Sequence, residues 1–139
     1  MGIKRAEPAD LILEAISARD TAYAPYSNFR VGAALMTSGE TIYTGCNIEN
    51  SSYGLTCCAE RVALFKAVSE GERDFKAIAV VSDSEEYCSP CGACRQVLAE
   101  FGEQILVYMS NNAGKYRVQK VSELLPAYFS LAGHSEDKE

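Results

Sequence analysis

Residues 77–109, AIAVVSDSEEYCSPCGACRQVLAEFGEQILVYM, hold the pattern that decides the fold. Ala77–Val81 is a short, continuous apolar run, the signature of a strand buried on both faces. Loop 82–90 follows, then a helix from Cys91 to Phe101 that Gly102 ends, then a second apolar run, Ile105–Met109. A helical crossover between two such runs returns the chain to the same edge, so the strands lie parallel. Upstream, residues 57–69 read as a helix with Val62, Leu64, Phe65 and Val68 on its apolar face and Gly71 just beyond its end. Residues 30–36 and 41–47 read as strands joined by Thr37-Ser38-Gly39-Glu40, an antiparallel hairpin, with a polar loop at 48–56. The first helix spans 8–23: Pro8 suits its first position, Leu11, Ile12, Ala15, Ile16 and Tyr23 recur at near-helical spacing, and Ala24-Pro25 closes it. Downstream come a turn at 111–114, a fifth strand at 116–121 and a short helix N-capped by Ser122 and interrupted by Pro126. The strand–helix–strand units from 41 to 110 imply parallel neighbours. The expected architecture is a three-layer α/β/α sandwich around a mixed five-stranded sheet.

The chain has 139 residues and a mass of 15.1 kDa, which suits a single domain over 1–139 with a frayed tail from about 132. It is 47% hydrophobic and 23% charged, ordinary globular usage that disfavours disorder and collagen-like repeats. No apolar run approaches the ~20 residues that span a bilayer, so no membrane partner is expected. The N-terminus, MGIKRAEPADL, lacks an apolar core and a cleavage site, so the expected location is the cytoplasm. Thirteen basic against nineteen acidic residues give a net charge of −6. A binder of nucleic-acid polymers uses a basic face to displace counterions, and the basic residues here are scattered. A small uncharged or cationic ligand fits better.

Six cysteines, Cys46, Cys57, Cys58, Cys88, Cys91 and Cys94, fall below disulfide-scaffold density and cluster near two helix starts. In a reducing compartment such clusters mean metal binding or catalysis. Ligand sites of open α/β sheets gather at the carboxyl edge of the strands, where both cysteine-bearing helices begin. Cys91 and Cys94 are three apart on one helical turn and face the same side. Cys58 adds a third thiolate and leaves one tetrahedral position open, the pattern of a catalytic rather than a structural zinc. Three thiolates overcompensate Zn²⁺; the positive ends of two helices, and hydrogen bonds from Arg61, oppose that excess. Arg61 reads equally well as a solvated surface arginine. Glu60, two positions after Cys58, can serve as a proton shuttle beside the activated water, a stronger reading than a helix-start glutamate favoured only by the dipole. Cys57 points about 100° from Cys58 on a helix, so it is not expected to be a ligand. Cys46 and Cys88 read as small packing residues, and His134 has no assigned role.

C-A-E followed some thirty residues later by P-C-x-x-C is the deaminase signature with Cys in place of its first His. At this point the chain resembles the cytidine deaminase family, in its short, homotetrameric, three-cysteine branch. The resemblance spans about residues 8–130. It rests on Phe29-Arg30-Val31-Gly32-Ala33-Ala34-Leu35, Cys46-Asn47-Ile48-Glu49-Asn50, Cys58-Ala59-Glu60-Arg61, Pro90-Cys91-Gly92-Ala93-Cys94-Arg95-Gln96 and Leu124-Leu125-Pro126-Ala127-Tyr128-Phe129. It implies one zinc per chain on Cys58, Cys91 and Cys94, with Glu60 as proton shuttle. It implies Asn47 and Glu49 on the ribose, Phe29 and Ala59 at the base pocket, and Ser51, Tyr53 and Phe129 at a neighbouring subunit's site. The implied reaction is hydrolytic deamination of cytidine and 2′-deoxycytidine, a step of pyrimidine salvage.

Two rivals stand beside this reading. A cytosine-bearing antibiotic such as blasticidin S is an alternative substrate, although Phe29, Asn47 and Glu49 favour a plain nucleoside. A redox or zinc-stabilised module using Cys91 and Cys94 is the rival from another class, and it has no use for Glu60.

Overall fold

In a computed structural model, which describes residues 7–131, Pro8 occupies the first turn of helix α1 (Pro8–Arg19). Asp10 reaches back to the Glu7 backbone N–H at 3.1 Å. The helix stops four residues before the expected end. Asp20, Thr21 and Ala22 make i→i−3 bonds, and the Tyr23 N–H donates instead to the Asn47 carbonyl at 3.0 Å, which pulls the chain off the helix axis. Strands β1 (Val31–Thr37) and β2 (Ile42–Cys46) form the expected hairpin. Helix α2 (Ala59–Ser69) leads to β3 (Phe75–Ser82), and α3 (Gly92–Phe101) leads to β4 (Leu106–Ser110). Then come β5 (Tyr116–Lys120) and the short α4 (Val121–Leu124). Ser122 is not the N-cap of α4: Lys120 holds that position, its N–H donating to Glu123 at 2.7 Å. The expected frayed tail and His134 lie outside the described residues.

The sheet order is β2-β1-β3-β4-β5. Of the expected parallel neighbours only β3 and β4 pair directly. β2 and β3 run in the same direction, but β1 lies between them, antiparallel to both. The chain thus crosses over its own hairpin through α2, and both cysteine-bearing helices still start at one edge.

Alternation along the strands separates two cores, which makes the three layers. Leu35, Ile78, Val80 and Val107 face α2 and α3, with Ala63, Leu64 and Leu98. Ala34, Met36, Ala79 and Val81 face α1, with Leu11, Ile12 and Ala15. Two glycines let helices approach the sheet. A Cβ at Gly45 would lie 2.5 Å from the Ala63 nitrogen, and one at Gly32 would lie 2.0 Å from the Ala15 carbonyl. No helix among the described residues is long and apolar enough to cross a membrane.

Candidate metal centre and adjoining cleft

Both cysteine-bearing helices begin with a cysteine as the N-cap. Cys58 precedes α2 in an extended conformation, and Cys91 precedes α3 in the same way. Cys94 lies in the first turn of α3 and is buried. The three sulfurs lie within 4.8 Å of one another, and Cys58 Sγ and Cys91 Sγ are 3.8 Å apart. Tetrahedral zinc with bonds of about 2.3 Å spaces its thiolates by about 3.8 Å, so the donor set fits that ion.

The electrostatics favour thiolate at Cys58. Its thiol is held at about 5, first by the hydrogen bond with Cys94, then by those from Arg61 and Cys91, against the opposing effect of burial. Arg61 Nη2 donates to Cys58 Sγ at 3.3 Å. The contact with Cys58 pushes the Cys94 thiol up, and burial adds to it. Cys57 stands apart from the trio: its backbone exchanges two 2.9 Å hydrogen bonds with Ile48, which keeps it extended and delays α2 until after Cys58. Cys88 is pushed up to about 12, chiefly by burial.

Glu60 occupies the first turn of α2 and is 5% exposed. Burial pushes its carboxyl up to about 7. Ala59, before it, is fully buried.

A cavity of about 410 Å³ is lined by Tyr26, Ser27, Glu49, Tyr53 and Thr56. Glu49 Oε1 accepts from the Tyr26 and Ser27 backbone at 2.9 and 3.2 Å, and Oε2 pairs with the Ser27 hydroxyl. The Ser27 hydroxyl, and then these backbone donors, hold the Glu49 carboxyl below its usual range despite some desolvation. Asn47 is nearly buried, and its amide bridges the chain around Phe29: Oδ1 accepts from Val31 N at 2.9 Å and Nδ2 donates to Phe29 O at 2.9 Å. Each of these two side chains, expected on a sugar, thus also shapes the loop beside it. An amide keeps one further N–H, and a carboxylate keeps spare lone pairs, for a ligand. Ser51 shares a 2.6 Å hydrogen bond with the Tyr26 hydroxyl, and Tyr53 packs against the Tyr26 ring.

The apolar stretch near the chain end divides. Leu124, Leu125 and Tyr128 pack against the core, whereas Phe129 is 70% exposed. Arg95 donates to the carbonyls of Pro90 and Leu124 and to the Ser89 hydroxyl, joining the approach to Cys91 with that stretch. Gln96 donates to the Phe129 carbonyl. No role for Arg95, Gln96, Tyr26 or Ser27 follows from reading the sequence. The polar run Pro25-Tyr26-Ser27-Asn28 between a helix and a strand was the available signal for the last two.

Three sulfurs spaced for a tetrahedral ion, with a buried carboxylate at the same sheet edge, are the donor set of a zinc-binding protein. The family model described as the cytidine and deoxycytidylate deaminase zinc-binding region matches residues 6–110. The chain belongs to that family. A cytidine deaminase of Sporosarcina psychrophila is 58% identical over 121 residues, covering 86% of this chain and 89% of the relative. The crystal structure of a cytidine deaminase from Burkholderia pseudomallei superposes with a TM-score of 0.83 at 52% identity, covering 86% of this chain and 96% of that one. A blasticidin-S deaminase of Bacillus cereus is more distant, 34% identical over 108 residues, 72% of this chain and 76% of that one.

Proposed function

We propose that the chain deaminates cytidine and 2′-deoxycytidine hydrolytically, giving uridine and 2′-deoxyuridine with release of ammonia. The observation that carries this reading is the buried Glu60 carboxylate, two residues after Cys58 of the thiol trio. Cys58, Cys91 and Cys94 would hold a zinc ion, which when bound would supply a Lewis acid that lowers the pKa of a water towards neutral pH. Glu60 takes the proton of that water and delivers it to ring N3, which makes C4 electrophilic. Glu60 then carries the second proton of the water to the leaving amino group. The water oxygen attacks C4 as N3 is protonated, forming the C4–O bond; the C4–N bond then breaks, ammonia leaves, and atoms and protons balance. Arg61 spreads the negative charge of Cys58. Phe29 and Ala59 bound the base, while Asn47 and Glu49 meet the sugar hydroxyls.

The fold is read as one domain, 1–139. The chain assembles as a homotetramer in the cytoplasm and works in pyrimidine salvage. The high identity to named cytidine deaminases supports the substrate, and the exposed Phe129 supports a contribution to a neighbour's site. The test gives zinc-loaded protein cytidine, 2′-deoxycytidine and blasticidin S separately and identifies the products by mass. Uridine from cytidine, at a kcat/KM above about 10⁴ M⁻¹s⁻¹, is expected. Turnover of blasticidin S alone overturns the assignment.

A further inference from the structure

We infer that Asp83, at the end of β3, is a positioning residue for substrate binding. Its carboxylate clamps Arg30 and thereby fixes the segment that presents Phe29, an inference that rests on Phe29 as a wall of the base pocket. Residues 26–30 lie between α1 and β1 without regular structure, yet each backbone N–H from Tyr26 to Val31, the first residue of β1, has an acceptor. Tyr26 and Ser27 donate to Glu49, Asn28 to the Ala24 carbonyl, and Phe29 to the Ser27 hydroxyl. Val31 donates to Asn47, and Arg30 donates to Asp83 Oδ2 at 3.0 Å. Asn47 and Glu49 come from the loop after β2. Asp83 alone among these side-chain acceptors comes from the end of the central strand β3, which pairs on both sides.

The contact is more than a surface ion pair, which by itself contributes little. Asp83 accepts the Arg30 backbone N–H and also its side chain, with Nε at 3.2 Å from Oδ2 and Nη2 at 3.2 Å from Oδ1. A two-pronged guanidinium–carboxylate pair fixes direction as well as distance. Asp83 is itself anchored from behind. Arg19 lies 3.6 Å from its carboxylate and donates to the Ser82 carbonyl, and Asn112 donates to the Asp83 carbonyl. On the other side of Phe29, Asn28 sits at φ 59°, a left-handed conformation that surrounding contacts must sustain. Phe29 is 43% exposed, so packing alone does not hold its ring. The clamp fixes the chain immediately after Phe29 and keeps the ring in the one orientation that meets a base. Losing it weakens ground-state and transition-state binding alike, which raises KM and spares kcat.

The test is a double-mutant cycle in steady-state kinetics with cytidine, on zinc-loaded Asp83→Asn, Phe29→Ala and the double variant. Asp83→Asn is expected to raise KM about tenfold with kcat within about twofold, and Asp83→Glu to recover most of the loss. The double variant is expected to have a kcat/KM within about twofold of Phe29→Ala alone, because the clamp acts through that ring. Multiplying effects, an unchanged KM, or a fall in kcat at constant KM overturns the inference. Arg30→Gln removes the guanidinium half of the clamp and enters the same cycle if Asp83→Asn does not fold. A wild type that turns over cytidine while the cycle multiplies overturns the clamp alone. A wild type inert towards cytidine overturns the functional reading and the clamp with it.

Discussion

Glu60 and Arg61 are sequence neighbours in one helical turn, and the turn sends them to different tasks. Glu60 is buried, whereas Arg61 is directed to the Cys58 sulfur. Neighbours on a helix diverge by about 100°. Cys57 and Cys58 instead precede the helix, where Ile48 holds the Cys57 backbone and only Cys58 joins the sulfur trio. Cys58→Ala, Cys91→Ala and Cys94→Ala are each expected to lose zinc and activity together, while Cys57→Ala keeps both; metal analysis of the purified variants checks this. Zinc retained in Cys58→Ala and lost in Cys57→Ala would reverse the assignment. Arg61→Gln removes a charge-assisted hydrogen bond from a thiolate. It is expected to lower kcat about tenfold, by more than it raises KM, at unchanged zinc content. Normal turnover would leave Arg61 as a structural contact of Cys58 with no part in the reaction.

Secondary structure was legible wherever a local pattern decides it: Pro8, the apolar runs of β3 and β4, and the glycine after α2, which sits at φ 102°. Apart from the N-cap of α4, where Lys120 replaces Ser122 through a local bond to Glu123, the misses fall where distant contacts intervene. α1 ends early because Tyr23 bonds to Asn47, and α2 starts late because Cys57 pairs with Ile48. Nothing local says that β1 separates β2 from β3. The cysteine cluster was legible because chemistry demands a tight pattern in sequence. The clamp was not, because its two ends are 53 residues apart. Close packing of α2 on β2 gives a prediction at this scale. Gly45→Ala is expected to cost about 1–3 kcal/mol and to weaken zinc retention, since α2 must shift and carries Cys58 with it. Gly32→Ala, under α1, is expected to cost similar stability and leave zinc affinity intact. Denaturant unfolding paired with chelator competition separates them; equal zinc loss in both would contradict this account.

The Asp83 clamp also makes stability depend on pH. Desolvation alone would raise its carboxyl, but the Arg30 hydrogen bonds, then the Arg30 and Arg19 charges, outweigh it and hold it below its ordinary range. A depressed acid contributes its stability in full above the unfolded pKa, about 4, and loses it as pH falls through the lower folded value. The difference in urea midpoint between wild type and Asp83→Asn is therefore expected to be flat from about pH 5.5 to 8 and to close below about pH 4. A difference that widens on acidification would contradict this.

At the scale of the whole molecule, the distribution of apolar surface matters most. Tyr53, Leu55 and Phe129 are each at least 70% exposed. If Phe129 serves a neighbour's site, Glu60→Ala and Phe129→Ala subunits, each impaired alone, are expected to regain part of the lost activity when dissociated and reassembled as hybrids. No recovery in verified hybrid tetramers, with Phe129→Ala itself severely impaired, would place Phe129 in its own subunit. All of these roles depend on one chemical claim, that Glu60 moves the protons of a metal-activated water onto a cytosine ring. The most direct measurement is turnover of cytidine to uridine by Glu60→Gln, with zinc quantified in the same sample. The predicted result is one zinc per chain and a kcat reduced by at least about 10³-fold. Near-normal turnover with zinc bound would contradict the account.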